Sequence, residues 1–369
     1  MRIINVVGAR PNFIKIAPLI SEMQKYPALI EPFLLHTGQH YDKEMSEEIF
    51  KDLELPNPEI YLGVGSDSYA KQIGEIMSRF EKVLKKLSAD LVLVVGDVNS
   101  TLACALIANK LSIPVAHIEA GLRSFNWQMP EEINRVLTDH LSDYLFITER
   151  SAYRNLIKEG ISKSKIYFVG NVMIDTLRRY LDKSENSKIL KELNLKEKSY
   201  AVLTLHRPEN VDNKETLFHL LEIIKKVQKD IPIVLPLHPR TKQRIKEFCL
   251  EGKIKELNNL ILTKAMSYLD FLNLQSKASF ILTDSGGIQE EAAILKIPCL
   301  TLRSETERPV TVIQGSNTIV GLDSKKITEE IKSILNNRKR KFKIPEKWDG
   351  KASERIIKIL IKDFKNGKI

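Results

Sequence analysis

The feature that most limits what this chain can become is a rhythm. Short, unbroken apolar runs alternate with segments of helical spacing from one end to the other. In the first half the runs are Ile3–Val7, Pro32–Leu35, Leu91–Val95, Val115–Ile118, Tyr144–Ile147 and Ile166–Val169. In the second they are Ala201–Leu205, Ile233–Leu237, Leu260–Leu262, Phe280–Thr283, Cys299–Leu302 and Thr318–Val320. Lys71–Leu87 and Glu215–Lys229 are typical of the helical segments between them. A strand that is apolar along its whole length is buried on both faces, which points to a parallel sheet covered by helices on each side. Two halves with the same rhythm predict an α/β chain of two doubly wound parallel-sheet domains. The break is expected near Gly170-Asn171, giving residues 1–170 and 171–351. The polar stretch Asp182–Ser199 then serves as a connector or peripheral helix of the second half. The helical pattern of Lys351–Ile369 could pack on either half.

Open parallel sheets bind ligands beyond the carboxyl ends of their strands. With two such sheets, the crevice between the domains is the expected site. The polar residues just after each run are therefore the candidates. The first run ends in "VVGARPNFIKIAP", where Arg10 and Lys15 flank a helix start and suit a diphosphate. The spacing is not that of a P-loop. The third run ends in Gly96-Asp97, and Asp97 reads either as an N-cap or as a site carboxylate. The fourth runs into "AHIEAGLRS", which puts Glu119 where a carboxylate is costly unless paired or facing a cleft, with Arg123 as a candidate structural partner. "MPEEINR" adds Glu131 at a helix start.

In the second half, "TLHRPEN" places His206 and Arg207 past a run, and "PLHPRT" places His238 and Arg240. "LTDSGGIQEEA" joins a strand pattern to a helical one over Ile288–Lys296 through Ser285, Gly286 and Gly287. That turn reads either as a phosphate seat on free helix amides or as a plain capped helix with Ser285 as N-cap. If a ligand sits there, Glu290 or Glu291 would be available to sugar hydroxyls. "RSETERP" contributes Arg303 and Arg308. Acids from one half and cations or amides from the other suggest a phosphorylated sugar handled by acid–base chemistry.

Composition narrows the classes. No apolar run approaches the roughly 20 residues of a membrane span, and the amino terminus lacks a signal-peptide pattern. Cytoplasm is the expected compartment, with no membrane partner. The three cysteines, Cys104, Cys249 and Cys299, stand far apart, against a disulfide framework or a zinc site. The net charge of +10 comes largely from scattered lysines, and the one dense run, "NNRKRKFK" at Asn336–Lys343, lacks interleaved aromatics beyond Phe342. It reads as a solvated connector, so no nucleic-acid partner is expected.

Taken in order, "GARPNFIKIAP", "TGQHYD", Gly96-Asp97, "HIEAGLRS", "PEEINR", "LHRPEN", "TDSGGIQEEA" and "ETERP" resemble the non-hydrolysing UDP-N-acetylglucosamine 2-epimerase family. The resemblance implies two Rossmann-like domains of the glycosyltransferase-B type with an interdomain cleft, and a carboxy-terminal helix, 352–369, returning to the first domain. By position it makes Asp97, Glu119 and Glu131 the acid–base carboxylates and turns His206 to the diphosphate. Arg10, Lys15 and Arg308, with the amides of Ser285, Gly286 and Gly287, would hold phosphates. Glu291 would take the ribose hydroxyls and Phe271 would pack near the uracil. Gln39, His40, Arg207 and His238 resemble parts of a second, allosteric substrate site, although Asp42 stands near where bacterial members often carry a second glutamine.

The implied reaction inverts carbon 2 of the sugar through loss and re-addition of UDP, with a 2-acetamidoglucal between. It needs no cofactor and no metal, and would supply polysaccharide biosynthesis. A homodimer is implied. The alternatives are a glycosyltransferase of the same architecture, an epimerase of a more decorated UDP-sugar, and a hydrolysing relative.

Overall fold

The apolar runs form two parallel sheets. The computed structural model describes residues 1–39, 49–336 and 342–369; His40 and Asp42 lie outside them. The chain divides into two compact units: Met1–Arg179 with Glu346–Ile369, and Tyr180–Pro345.

Among the described residues, the first unit holds a seven-stranded sheet. Its strands are β1 (Arg2–Val7), β2 (Glu31–His36), β3 (Ile60–Tyr61), β4 (Leu91–Val95), β5 (Val115–Ala120), β6 (Tyr144–Ile147) and β7 (Ile166–Phe168). Their order is β3-β2-β1-β4-β5-β6-β7, all parallel. β3 was not expected: two residues are too few to stand out as an apolar run, and pairing with β2 is what makes them a strand. The second unit holds a six-stranded parallel sheet, ordered β10-β9-β8-β11-β12-β13. Here β8 is Ala201–Thr204, β9 Ile233–Pro236, β10 Leu260–Thr263, β11 Phe280–Thr283, β12 Cys299–Thr301 and β13 Asn317–Ile319.

Burial follows the strand period. In β8, Ala201 and Leu203 enter a core with Leu220, Ile224, Leu235 and Leu282, whereas Val202 enters one with Val234, Leu274, Ile281 and Ala292. Successive side chains thus serve opposite faces, as pleating requires. The helices covering the sheets bury one stripe each. Tyr69–Lys86 buries Ile76, Phe80 and Leu84 and ends on Lys85 and Lys86, which suit its dipole. Cys104 and Cys299 are buried, consistent with small core residues.

Glu346–Ile369 completes the first unit. Trp348 is buried and donates its indole N–H to the Thr148 carbonyl at 3.0 Å. The Asp175 carboxylate accepts from the Ala352 and Ser353 amides at 3.1 and 2.7 Å, fixing the start of the helix Ala352–Lys365. That helix buries Ile356, Ile357 and Leu360.

Strand order reverses between β1 and β4 in the first sheet and between β8 and β11 in the second. Connections leaving two neighbouring strands in opposite directions open a crevice at their carboxyl ends. The candidate residues are concentrated around these two places.

Candidate active site

In the first unit the site begins where β1 ends. Asn12 accepts hydrogen bonds from the Gly8 and Ala9 amides at 3.1 and 3.0 Å and donates to the Val95 carbonyl at 3.0 Å. This one side chain ties the β1 turn to the end of β4. It also positions the helix Arg10–Met23, which starts with Arg10 and carries Lys15 on its second turn.

Lys15 was expected beside a diphosphate. The structure places its ammonium on the Glu119 carboxylate, with both groups buried. Glu119 sits at an irregularity in β5, between Ile118 and Ala120, with φ at 76°. Left-handed backbone at a glutamate costs about 1–3 kcal/mol, and a bulge re-aims the side chain it carries. The backbone strain and the buried ion pair coincide on one residue. Arg123, one candidate partner of Glu119, instead binds Glu159 through two nitrogens, at 2.8 and 2.7 Å, and Asp139 at 2.7 Å.

Asp97 follows β4. Val98 occupies the N-cap position of the helix Asn99–Lys110, so Asp97 is not its cap. Its carboxylate meets Arg135 at 2.5 Å, and its backbone carbonyl accepts from Asn134 at 2.9 Å. Arg135 is buried and bound as well to Glu132 at 2.6 Å. Glu132 in turn accepts the amides of Ser124 and Phe125, each at 2.9 Å. Reading "PEEINR" for its acids picked out Glu131, which is partly exposed at the helix start. The residue that bonds Asp97 is the arginine of the same motif, four positions on.

Gln39, expected at an allosteric site, is buried, and its side-chain carbonyl accepts from the amide and hydroxyl of Ser100 at 3.0 and 2.7 Å.

In the second unit His206 follows β8. Its Nδ1 lies 2.7 Å from Asp284, which follows β11. The second oxygen of Asp284 accepts the amides of His206 and Arg207, each at 2.9 Å, and the Asn210 amide group at 3.2 Å. Burial works to raise the pKa of Asp284, but its contact with His206 and these amides hold the carboxyl below the usual range. With Asp284 fixing Nδ1, the imidazole is oriented through its other nitrogen. The His206 side chain is one-third exposed, and the His238 ring is 5.5 Å away. His238 caps the helix Pro239–Glu247 by accepting the Arg240 amide.

The helix after β11 spans Gly286–Leu295, with Ser285 at the N-cap position but making no side-chain cap bond. The Ser285 amide bonds the Thr283 hydroxyl at 2.9 Å. A Cβ at Gly286 would collide with the Arg308 guanidinium, so glycine is what lets that cation reach the helix start. Arg308 is buried and fixed by Glu290 at 2.7 Å, with Glu307 at 3.5 Å. Arg303 is held by Glu307 through two bonds of 3.0 Å and by Glu209 at 3.2 Å. Glu291 accepts from the Tyr268 hydroxyl at 3.1 Å and from Gln275 at 2.5 Å. Phe271 is partly buried against the core face that includes Leu274 and Ala292.

Each unit thus gathers its expected residues at its strand-order reversal: Arg10, Lys15, Asp97 and Glu119 in one, His206 and the Ser285–Gly287 turn in the other. Among the described residues no group of three or more His, Cys, Asp or Glu is placed to hold a metal ion, and no helix is long and apolar enough to cross a membrane.

Comparison with known proteins agrees over nearly the whole chain. The family model described as UDP-N-acetylglucosamine 2-epimerase matches residues 22–361. A UDP-N-acetylglucosamine 2-epimerase of Methanocaldococcus jannaschii is 46% identical over 365 residues, covering 98% of this chain and 99% of the relative. A UDP-2,3-diacetamido-2,3-dideoxy-D-glucuronate 2-epimerase of Pseudomonas aeruginosa is 39% identical over 338 residues, 91% of this chain and 92% of the relative. The crystal structure of the M. jannaschii UDP-GlcNAc 2-epimerase with UDP-GlcNAc and UDP superposes with a TM-score of 0.93 at 45% identity, covering 98% of this chain and all of the other. On motif order, fold and these matches, the chain belongs to the UDP-N-acetylglucosamine 2-epimerase family.

Proposed function

We propose that this chain is a non-hydrolysing 2-epimerase that interconverts UDP-N-acetylglucosamine and UDP-N-acetylmannosamine. The observation that carries the reading is a pair of cation-bound carboxylates at the ends of adjacent strands, Asp97 on Arg135 and Glu119 on Lys15.

Carbon 2 of the sugar has no neighbouring ring carbonyl, so a carbanion there is poorly stabilised. Elimination avoids it. A carboxylate takes the carbon-2 proton, a double bond forms between carbons 1 and 2, and UDP leaves with the electron pair of the carbon-1–oxygen bond. Re-addition of UDP to the 2-acetamidoglucal returns a proton to the opposite face of carbon 2. Two faces require more than one proton-carrying group, which Asp97, Glu119 and Glu131 would provide. Departing UDP gathers charge on its diphosphate. Arg10, His206, Arg308 and the amides of Ser285, Gly286 and Gly287 would stabilise that charge. Glu291 would take the ribose hydroxyls, and Phe271 would flank the uracil. Lys15 acts through Glu119, keeping its carboxylate in place.

A second reading, an epimerase of a diacetamido uronic acid, is favoured by the 39% identity to the P. aeruginosa relative. A homodimer is supported by Phe125, Trp127, Ile133 and Leu137, large apolar side chains left exposed in the first unit, the last two one turn apart on Pro130–Leu141. Activation by a second substrate molecule would fall to Gln39, Arg207 and His238, with His40 outside the described residues.

The test is incubation with UDP-N-acetylglucosamine alone, and separately with the diacetamido uronate. The expected product from the first is UDP-N-acetylmannosamine, formed without acceptor. Free N-acetylmannosamine would mean hydrolysis, no reaction without an acceptor would mean transfer, and turnover of the uronate alone would favour the second reading.

A further inference from the structure

His117 is sealed inside the first unit, fully buried on β5, and the proposed mechanism does not use it. Both ring nitrogens have partners. Nδ1 lies 2.7 Å from Asp139 and Nε2 lies 2.8 Å from the Gly96 carbonyl. A carbonyl oxygen only accepts. Asp139 receives the Gly121 amide at 3.0 Å and the Arg123 guanidinium at 2.7 Å on its other oxygen. With two donors already on that oxygen, one of them a guanidinium, the Asp139 carboxylate stands as an acceptor too. Two acceptors facing one ring call for two N–H groups. A neutral imidazole would turn a lone pair against one of them inside a dry site. Charge agrees: with His117 protonated, His117 and Arg123 balance Asp139 and Glu159. His140, 3.7 Å from Glu159, is the other titratable group recorded against this cluster among the described residues.

The Gly96 carbonyl belongs to the turn that carries Asp97. Gly96 has φ at 69°, and its amide donates to the Ile118 carbonyl at 3.1 Å. A Cβ built on Gly96 would stand 3.0 Å from the Lys15 ammonium and 3.6 Å from Glu119. The turn is therefore clamped to β5 at its amide and its carbonyl, and packed on the Lys15–Glu119 pair. We propose that His117 is a positioning residue, held as a doubly protonated imidazolium, that locks the Gly96-Asp97 turn against Lys15 and Glu119. Its effect on turnover rests on the epimerase reading above; its protonation state does not.

The experiment has two arms on the full chain. In ¹⁵N-histidine-labelled wild type, NMR should show one buried histidine with both ring nitrogens protonated, as its two acceptors require; His117→Gln assigns it by its loss. A neutral His117, or a proton residing on Asp139, would overturn the proposal even if the variant failed to fold. Kinetically, His117→Gln should lower kcat on the order of 100-fold, as expected for a misplaced catalytic group, with KM and UDP affinity near wild type. A folded variant with wild-type kcat would also overturn it. If instead Asp97→Asn kept full turnover while His117 proved doubly protonated, the catalytic reading of Asp97 would fail and the imidazolium would stand.

Discussion

Single residues gain their roles here from partners that the sequence keeps far away. His206 stood out because it follows an apolar run, yet what orients it is Asp284, 78 residues on. Asp284 was in plain view in "LTDSGG" but was not among the candidates. The same holds for Lys15 and Glu119, 104 residues apart, and for Asp97 and Arg135. Strand ends told where polar residues would gather; they could not tell who would pair with whom, because pairing is set by the strand order. The Asp284 bond carries a pH signature. Its carboxyl is held below the ordinary value, so its contribution to stability is complete above the unfolded carboxylate pKa of about 3.9 and is lost as pH falls through the folded-state value. Asp284→Asn should destabilise the protein by about 1.5–3 kcal/mol at neutral pH, the worth of hydrogen bonds to a charged group. Denaturant unfolding at a series of pH values should show the gap between variant and wild type closing in acid. A gap constant with pH would contradict this.

Secondary-structure elements were the most legible level, because a run buried on both faces must be apolar throughout. β4 and β6 match their apolar runs in the sequence residue for residue. What the pattern missed has physical causes. β3 is too short to show periodicity. The helix after β11 starts at Gly286, ahead of the apolar positions from Ile288, because glycine has no hydrophobic signal to give. The bend at Glu119 is invisible because a left-handed glutamate has no sequence signature; only the pairing of β5 with β6 reveals it. Gly286 carries the element's prediction. In Gly286→Ala the new methyl would push Arg308 away from the helix start. UDP affinity, measured by calorimetry, should fall about tenfold, the loss of roughly one charge-assisted bond, while the melting temperature stays near wild type. Unchanged affinity would remove Arg308 from the phosphate seat.

At the scale of the molecule, the alternating rhythm announced two α/β units, and the match to the family confirms that class. The place of the final helix was not legible from its residues, since an amphipathic stripe says that a face is covered without saying by what. It completes the first unit. Trp348 is its anchor, so Trp348→Ala should destabilise the protein by about 3–5 kcal/mol, read as a lower midpoint in denaturant. A change below about 1 kcal/mol would mean that the carboxy-terminal segment is not part of that unit's core.

The central claim is that carboxylates at the ends of β4 and β5 move the proton at carbon 2. The most direct measurement is deuterium incorporation at that carbon when UDP-N-acetylglucosamine is incubated in heavy water with wild type, Asp97→Asn and Glu119→Gln. Wild type should place deuterium in both epimers. At least one variant, Glu119→Gln, should exchange on the order of 100-fold more slowly or worse, with UDP binding retained. Wild-type exchange in both variants would contradict the account.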